Sequence, residues 1–383
     1  MINENKKAMS RTWAEINLNA LANNYNVLKN LLLPGTKFAG VCKANAYGHG
    51  MIEIADKLQE LGADYICVAS VDEGVTLREN NITIPVLCLG QTDPELANLI
   101  SRYEITQAVG DFENAELLSC YAQKNNVRIK IHIKLDTGMS RLGFYWPDDE
   151  RNKIITAETI AKICKLDGIE AEGLFTHFSK ADNDIAYTKM QYEKINEAKK
   201  YLSRLGINFN IIHASASSGI LSSPDFQMNM CRFGIALYGY TYPDTGNEIK
   251  NIGLKPVMTV KSRISAVRNL PAGSKISYGG TYELKRDSKI AIIPAGYADC
   301  IPRNLSNNFG VKINNIKCPL IGRVCMDMTI IDVTDLACEI KSGDIAVIYD
   351  EELMMQAVKN SDTIIDEIVC RVLPRVTKIY IEN

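Results

Sequence analysis

The residues of this chain that can do chemistry stand where apolar runs stop. Val41-Cys42 is followed by Lys43, which opens the stretch Lys43-Ala44-Asn45-Ala46-Tyr47-Gly48-His49-Gly50. An amine at the end of a buried run loses solvation, which disfavours its charged form and leaves it able to attack a carbonyl and form a Schiff base. The alternative is an ordinary lysine whose stem covers apolar surface while its ammonium reaches water. A second run closes in Lys134-Leu135-Asp136-Thr137-Gly138-Met139-Ser140-Arg141, and a third in Phe175-Thr176-His177-Phe178. Two more close in His213-Ala214-Ser215-Ala216-Ser217-Ser218-Gly219 and in Cys231-Arg232-Phe233-Gly234-Ile235. Small residues there can bring hydroxyls and backbone N–H groups to an anion, although small residues also populate turns for purely conformational reasons.

These stretches need a scaffold that gathers strand ends at one place. From residue 10 to about 245, short apolar runs alternate with amphipathic stretches, the signature of βα units and a parallel sheet. Eight such runs can be counted: Phe38 to Lys43, Tyr65 to Ser70, Pro85 to Gly90, Ile105 to Gly110, Val127 to Asp136, Glu170 to Phe178, Phe209 to Ser215 and Met230 to Tyr240. Eight strands imply a closed (β/α)8 barrel, in which working residues project from the strands' C-terminal ends. The helices between them carry start and stop signals. Leu21, Tyr25, Leu28 and Leu32 share one face ahead of Pro34 and Gly35. Asp93-Pro94 and Asp111 read as helix starts, and Gly206 ends the helix carrying Ile195, Ala198 and Leu202. In such a barrel Arg141, His177 and Arg232 would face the same cavity as Lys43. A Schiff-base lysine opposite a phosphate site after the seventh and eighth strands suggests pyridoxal phosphate. A rim ion pair for Arg141 and a hydrogen-bonded core histidine for His177 are the competing readings.

After about residue 250 the apolar period drops to two, with Met258, Val260, Ser262 and Ile264 on one side and Thr259, Lys261 and Arg263 on the other. Further strand-like runs at Ile290 to Ile293, Val311 to Ile316, Thr329 to Val333 and Ile345 to Tyr349 are punctuated by Pro271-Ala272-Gly273 and Asn314-Asn315 turns. The expected division is a barrel over residues 10–248 and a mainly antiparallel β domain over 249–383, with residues 1–16 packing against the second.

Composition excludes several classes. The formal charge is −2 and no block of like charges marks a nucleic-acid arm. Residues 1–11 lack the apolar core of a signal peptide and no apolar run is long enough for a membrane span, so a cytoplasmic protein is expected. Eleven cysteines without a C-x-x-C pair and four scattered histidines argue against a disulfide framework or a zinc site.

Six motifs, in order, resemble the alanine racemase family and span nearly the whole chain: KANAYGHG at Lys43, KLDTGMSRLG at Lys134, THF at Thr176, SYGGTY at Ser277, GYAD at Gly296 and CMDM at Cys325. The resemblance implies a pyridoxal 5'-phosphate-dependent isomerase that interconverts L- and D-alanine, working as a homodimer with shared active sites and with neither nucleic acid nor membrane as partner. Lys43 would hold the cofactor, and Tyr278 would reach in from the other subunit as the second base on the opposite face of the substrate. Two bases suit a reaction between enantiomers of equal free energy, and lysine and tyrosine have similar reference proton affinities. Arg232 would face the cofactor's pyridine nitrogen, His177 would stack near the ring and order Tyr278, and Arg141 would bind the phenolic oxygen and the substrate carboxylate. Tyr47, Ser217, Gly234 and Ile235 match phosphate contacts, and the Met326 backbone matches a carboxylate contact supplied by the partner subunit. Lys134 matches a lysine that is often carbamylated and buttresses Arg141; Tyr282 and Tyr297 match residues lining the entry, or are domain-interface aromatics.

The sequence departs from the family pattern at Ala216, in place of an amide, at Cys300, in place of a glycine, and at Pro374, read as standing where many relatives have a tyrosine. Room beside the substrate methyl would suit a serine or broad-specificity racemase, which is the alternative reading. A non-catalytic cofactor-binding barrel is a more remote one, and a cofactor-free Schiff-base aldolase or a decarboxylase is a third class.

Overall fold

The structure is a computed structural model that describes residues 10–242 and 252–382. The chain divides into two compact units, one of Ala22–Ala46 with Met51–Leu254, the other of Met1–Leu21, Tyr47–Gly50 and Lys255–Asn383. The expected boundary at 248–249 falls outside the described residues.

The first unit is a parallel barrel. Its strands follow one another in sequence order: Lys37–Val41, Tyr65–Val68, Val86–Cys88, Ile105–Val109, Ile129–Asp136, Ile169–Phe175, Ile211–His213 and Met230–Phe233, the last pairing in parallel with the first. Closure between the seventh and eighth comes from two backbone hydrogen bonds, Asn229 N to Ile212 O at 3.2 Å and Arg232 N to Ser215 O at 3.1 Å. The β-branched and cysteine-rich runs are buried on both faces, as strands between a packed interior and a helical layer must be.

The helices answer to their expected signals. In Leu18–Lys29, Leu21, Tyr25 and Leu28 are buried. That helix stops at Lys29, ahead of the expected break, because the chain tightens through i→i+3 bonds and Leu33, preceding Pro34, is pushed out of helical geometry. Asp111 Oδ1 accepts from Asn114 N at 2.8 Å and caps Phe112–Asn125, and Asp93 caps the 3-10 turn Pro94–Leu96 that runs directly into the helix Ala97–Arg102. The run Met230 to Tyr240 is a strand only as far as Phe233; beyond it Ile235–Tyr238 coils into a 3-10 turn ended by Gly239 at φ 96°.

The second unit is mostly antiparallel. One sheet runs in the order Ile316–Pro319, Gly310–Ile313, Ile345–Tyr349, Met258–Arg263, Thr12–Asn17, Thr377–Ile381, and another pairs Ala266–Leu270, Ser288–Ile293 and Thr329–Asp332. The alternation read at 258–264 is the burial pattern observed, with Met258, Val260, Ser262 and Ile264 inside. The run Val311 to Ile316 is not one strand. Asn314 and Asn315, at φ 49° and 63°, make the two-residue hairpin turn that sends the chain back along Ile316–Pro319.

Candidate active site

The first barrel strand ends in an unusual conformation. Immediately after Lys43 four successive residues, Ala44, Asn45, Ala46 and Tyr47, have φ between 52° and 55°, the left-handed region. Each L-residue there costs roughly 1 kcal/mol, so neighbours must hold the turn. Ala46 N bonds Cys42 O at 2.7 Å, Asn45 Oδ1 accepts from Met51 N at 2.9 Å, and the Glu73 carboxylate accepts from Ala44 N at 2.6 Å and Ala69 N at 2.8 Å. Tyr238, fully buried, fixes the strand end from inside by donating to Val41 O at 2.8 Å. The result is a sharp reversal that leaves Lys43 half-buried at the rim rather than enclosed, and it makes no ion pair among the described residues.

Cations crowd this end of the barrel. Arg232, 2% exposed, donates to Thr176 O at 3.0 Å, Ala214 O at 2.7 Å, His177 Nδ1 at 3.1 Å and His213 Nδ1 at 2.5 Å. Burial pushes its guanidinium down to about 10. Burial also pushes His177 well below the ordinary imidazole range, reinforced by Arg232, Lys134, Arg141 and Lys43. Of these cations Arg232 bonds the imidazole directly, and the charges of all four disfavour its protonated form. Lys134, buried on the strand Ile129–Asp136, is held well below the usual amine range by desolvation and then by Arg232 and Arg141.

Arg141 is exposed and follows a loop built by Asp136, whose Oδ1 accepts from Gly138 N, Met139 N and Ser140 N at 2.9 to 3.1 Å. Tyr187 ties down the same loop by donating to Gly138 O at 2.8 Å. Gly143, at φ 117°, lets the chain pass so close to Lys134 that a Cβ would lie 2.7 Å from its Cγ. The motif KLDTGMSRLG is therefore one device in which an acidic turn, a glycine approach and two cations depend on one another.

Ser217 stands apart from this cluster chemically. Its buried Oγ accepts from Gly234 N at 3.1 Å and Ala236 N at 3.3 Å. A hydroxyl has two acceptor sites and one donor, so the O–H remains to be satisfied. Among the described residues neither that O–H nor Ile235 N–H has an acceptor, whereas Gly234 N–H is already engaged. A buried hydroxyl and a backbone N–H seeking an acceptor suit a phosphate oxygen. Ala216, beside them, offers no side-chain polar group and bridges Arg232 through its backbone.

In the second unit three motif loops meet. Ser277 Oγ lies 3.4 Å from Cys325 Sγ, and Tyr297 N donates to Cys325 O at 3.0 Å. Gly296 allows the approach, since a Cβ would stand 2.1 Å from Cys325 O. On these loops Tyr278 is 69% exposed, Tyr297 42%, Met326 52% and Met328 52%, a concentration of large apolar side chains in water. Tyr282 is half-buried in the hairpin opposite Ile276. The Met326 loop is anchored behind by Arg375, which reaches Asp327 at 2.7 Å and the buried Asp299 at 3.0 Å. Tyr47 is buried in the segment Tyr47–Gly50, where Gly48 packs on the end of helix Ile365–Cys370, its Cβ position 2.4 Å from Val369 O and 3.6 Å from Cys370 Cα. Pro374 is exposed in the turn beyond, so the residues of this stretch against the loop after Lys43 are Val369 and Cys370. Cys300 is buried, with its carbonyl accepting from Tyr349.

Sequence reasoning did not pick out Glu73, Tyr238, Glu172, His132 or His213 as parts of this site. Glu73 looks like an ordinary helix-start acid, Glu172 and His132 sit inside strands, where polar residues among apolar ones were the available signal, and His213 ends one.

Comparison with known proteins follows the same two-part division. Residues 16–242 match the model of the alanine racemase N-terminal domain and residues 257–380 that of the alanine racemase C-terminal domain. An alanine racemase of Methanococcus maripaludis is 40% identical over 376 residues, 96% of this chain and 98% of that protein. The structure of an alanine racemase from Clostridium difficile superposes with a TM-score of 0.92 at 36% identity, covering 98% of this chain and 97% of the other. One from Bartonella henselae with covalently bound pyridoxal phosphate superposes with a TM-score of 0.85 at 27% identity, covering 97% and 100%.

Proposed function

Since the chain belongs to the alanine racemase family, we propose that it interconverts L- and D-alanine with pyridoxal 5'-phosphate, moving the α-proton between Lys43 and Tyr278 of the partner subunit. The observation that carries this reading is Arg232: a buried guanidinium bonded to His177 at the strand ends, within the field of Lys43, Lys134 and Arg141.

The residues present fit the cofactor. Lys43 would attach it, the Ser217 O–H and Ile235 N–H would donate to its phosphate, Gly234 would stand against that phosphate while its N–H holds Ser217 Oγ in place, Tyr47 would add a further phosphate contact, and Arg232 would face its pyridine nitrogen. When bound, the cofactor would draw electron density from the substrate α-carbon and so weaken its C–H bond. A guanidinium holds its own proton firmly, so Arg232 donates a hydrogen bond without protonating the ring. That restrains electron withdrawal and limits side chemistry such as transamination.

His177 accepts from Arg232 through Nδ1, which leaves the hydrogen on Nε2 free to orient the second base. Arg141, at the exposed end of its loop, is placed to meet a carboxylate, and the Met326 N–H, which has no acceptor among the described residues of one chain, would meet the same group from the partner subunit. Tyr278 carries its phenol into water within one chain. A second copy, covering Tyr278, Tyr297, Met326 and Met328, would desolvate it and bring it to the substrate, with Tyr282 and Tyr297 lining the entry. The homodimer is thus part of the chemistry. No helix among the described residues is long and apolar enough to cross a membrane, which suits the cytoplasmic reading.

The test is purified protein with pyridoxal phosphate and a panel of L-amino acids, followed by chiral chromatography. D-alanine should form fastest. Turnover of L-serine equal to that of L-alanine would overturn the substrate, and no racemisation of any amino acid would overturn the activity.

A further inference from the structure

A buried arginine ordinarily has a carboxylate beside it. Among the described residues Arg232 has none; its counter-charge lies two imidazoles away. Arg232 Nη1 donates to His213 Nδ1 at 2.5 Å, His213 Nε2 lies 2.8 Å from His132 Nδ1, and His132 Nε2 lies 3.2 Å from Glu172 Oε2. His132 and His213 are both fully buried.

The direction of every hydrogen in this chain follows from its ends. A guanidinium has donors only, so His213 Nδ1 must accept and its hydrogen sits on Nε2. That hydrogen points at His132 Nδ1, which therefore accepts as well, and the His132 hydrogen sits on Nε2, facing an acceptor-only carboxylate. Both rings are neutral, in keeping with their burial. The rings are also held in place. Phe175 stacks on His213 with centroids 4.6 Å apart and planes 5° from parallel. Gly173 makes the space for His132, since a Cβ there would lie 2.6 Å from Nδ1. Tyr65 donates to Glu172 Oε2 at 3.0 Å and orients the carboxylate.

We infer that Glu172 is a positioning residue for Arg232, acting through His132 and His213 as a one-way hydrogen-bond chain that keeps a lone pair of His213 aimed at the guanidinium. The chain's kinetic consequence rests on the reading of Arg232 given above. Without the Glu172 acceptor, either imidazole can turn its hydrogen around, and a His213 carrying Nδ1–H would confront the guanidinium donor with another donor.

Long-range proton–nitrogen NMR on protein labelled with 15N-histidine tests this directly. In the unaltered protein near neutral pH, His132 and His213 should both be neutral with hydrogen on Nε2. A protonated ring, or hydrogen on Nδ1 of either, would overturn the inference whether or not the protein racemises alanine, and a protein with ordered rings but no racemase activity would sink only the activity. Glu172→Leu should mix the tautomers of both rings and lower kcat about tenfold in both directions with KM little changed. Glu172→Gln, which keeps an accepting oxygen, should restore both. Gly173→Ala, which displaces His132 while leaving Glu172 in place, should mimic Glu172→Leu and serves if that variant fails to fold. Unchanged tautomers and kcat in the folded Glu172→Leu or Gly173→Ala protein would refute the role.

Discussion

The amine of Lys134 lies 4.5 Å from the centroid of the Phe175 ring, and burial, then the charges of Arg232 and Arg141, hold it well below the usual amine range. A buried lysine between two arginines is poorly placed to stay charged, and a neutral amine is a nucleophile for carbon dioxide. A carbamate on Lys134 would turn a repulsive trio into an anion between two cations. Protein exchanged into 13C-bicarbonate should therefore show one carbamate resonance that Lys134→Ala removes. A spectrum without that resonance would mean that Lys134 remains an amine.

The two proposed bases should separate by direction. Lys43→Ala is expected to abolish covalent attachment of pyridoxal phosphate, read as loss of its protein-bound absorbance. Tyr278→Phe should keep that absorbance while abstracting the α-proton of L-alanine at least a hundredfold more slowly, in line with loss of a positioned general base. Parent rates for Tyr278→Phe in both directions would remove Tyr278 from the mechanism.

Acid should weaken the fold in a defined window. His132, His177 and His213 are all shifted below 6.5 when folded, chiefly by burial. Below pH 6.5 the unfolded chain takes up protons that the folded one refuses, so their contribution is complete above that pH and is lost as pH falls. Each contributes a slope of about 1.4 kcal/mol per pH unit. The Tm should therefore drop clearly between about pH 7.5 and 5.5; equal values at both would contradict the neutral, buried imidazoles.

Gly143→Ala should be among the most damaging single-methyl changes in the barrel. It forces a side chain into φ 117° and against Lys134, a cost of about 3 kcal/mol. Urea unfolding should show the midpoint fall, whereas Gly206→Ala, with nothing near its Cβ position, should lose less from its left-handed φ alone.

The barrel was legible because its strands are short, β-branched and buried on both faces, and each was found within a few residues of its place. Ends were less legible. The strand reading of Met230 to Tyr240 ran past Phe233 because Ile235 to Tyr238 is as apolar as a strand, and only the backbone reveals the 3-10 turn. The single run Val311 to Ile316 conceals a hairpin even though Asn314-Asn315 advertises it. The cations of the site showed themselves as polar residues closing apolar runs. Glu172 and His132 did not, and His213 closed its run without disclosing a role, because what these three do depends on a barrel radius that joins strands five, six and seven at ring distance, and no local pattern encodes that.

The left-handed turn after Lys43 has a bearing on how this protein can change. Ala44 is exposed, and its backbone N–H is held by Glu73, so Ala44→Gly would relax the torsion without removing a packed side chain. If natural sequences nonetheless retain Cβ atoms there, rigidity of the lysine's tether outweighs local comfort. A designer seeking a more heat-resistant enzyme would then do well to leave this corner alone and work on the outer helices.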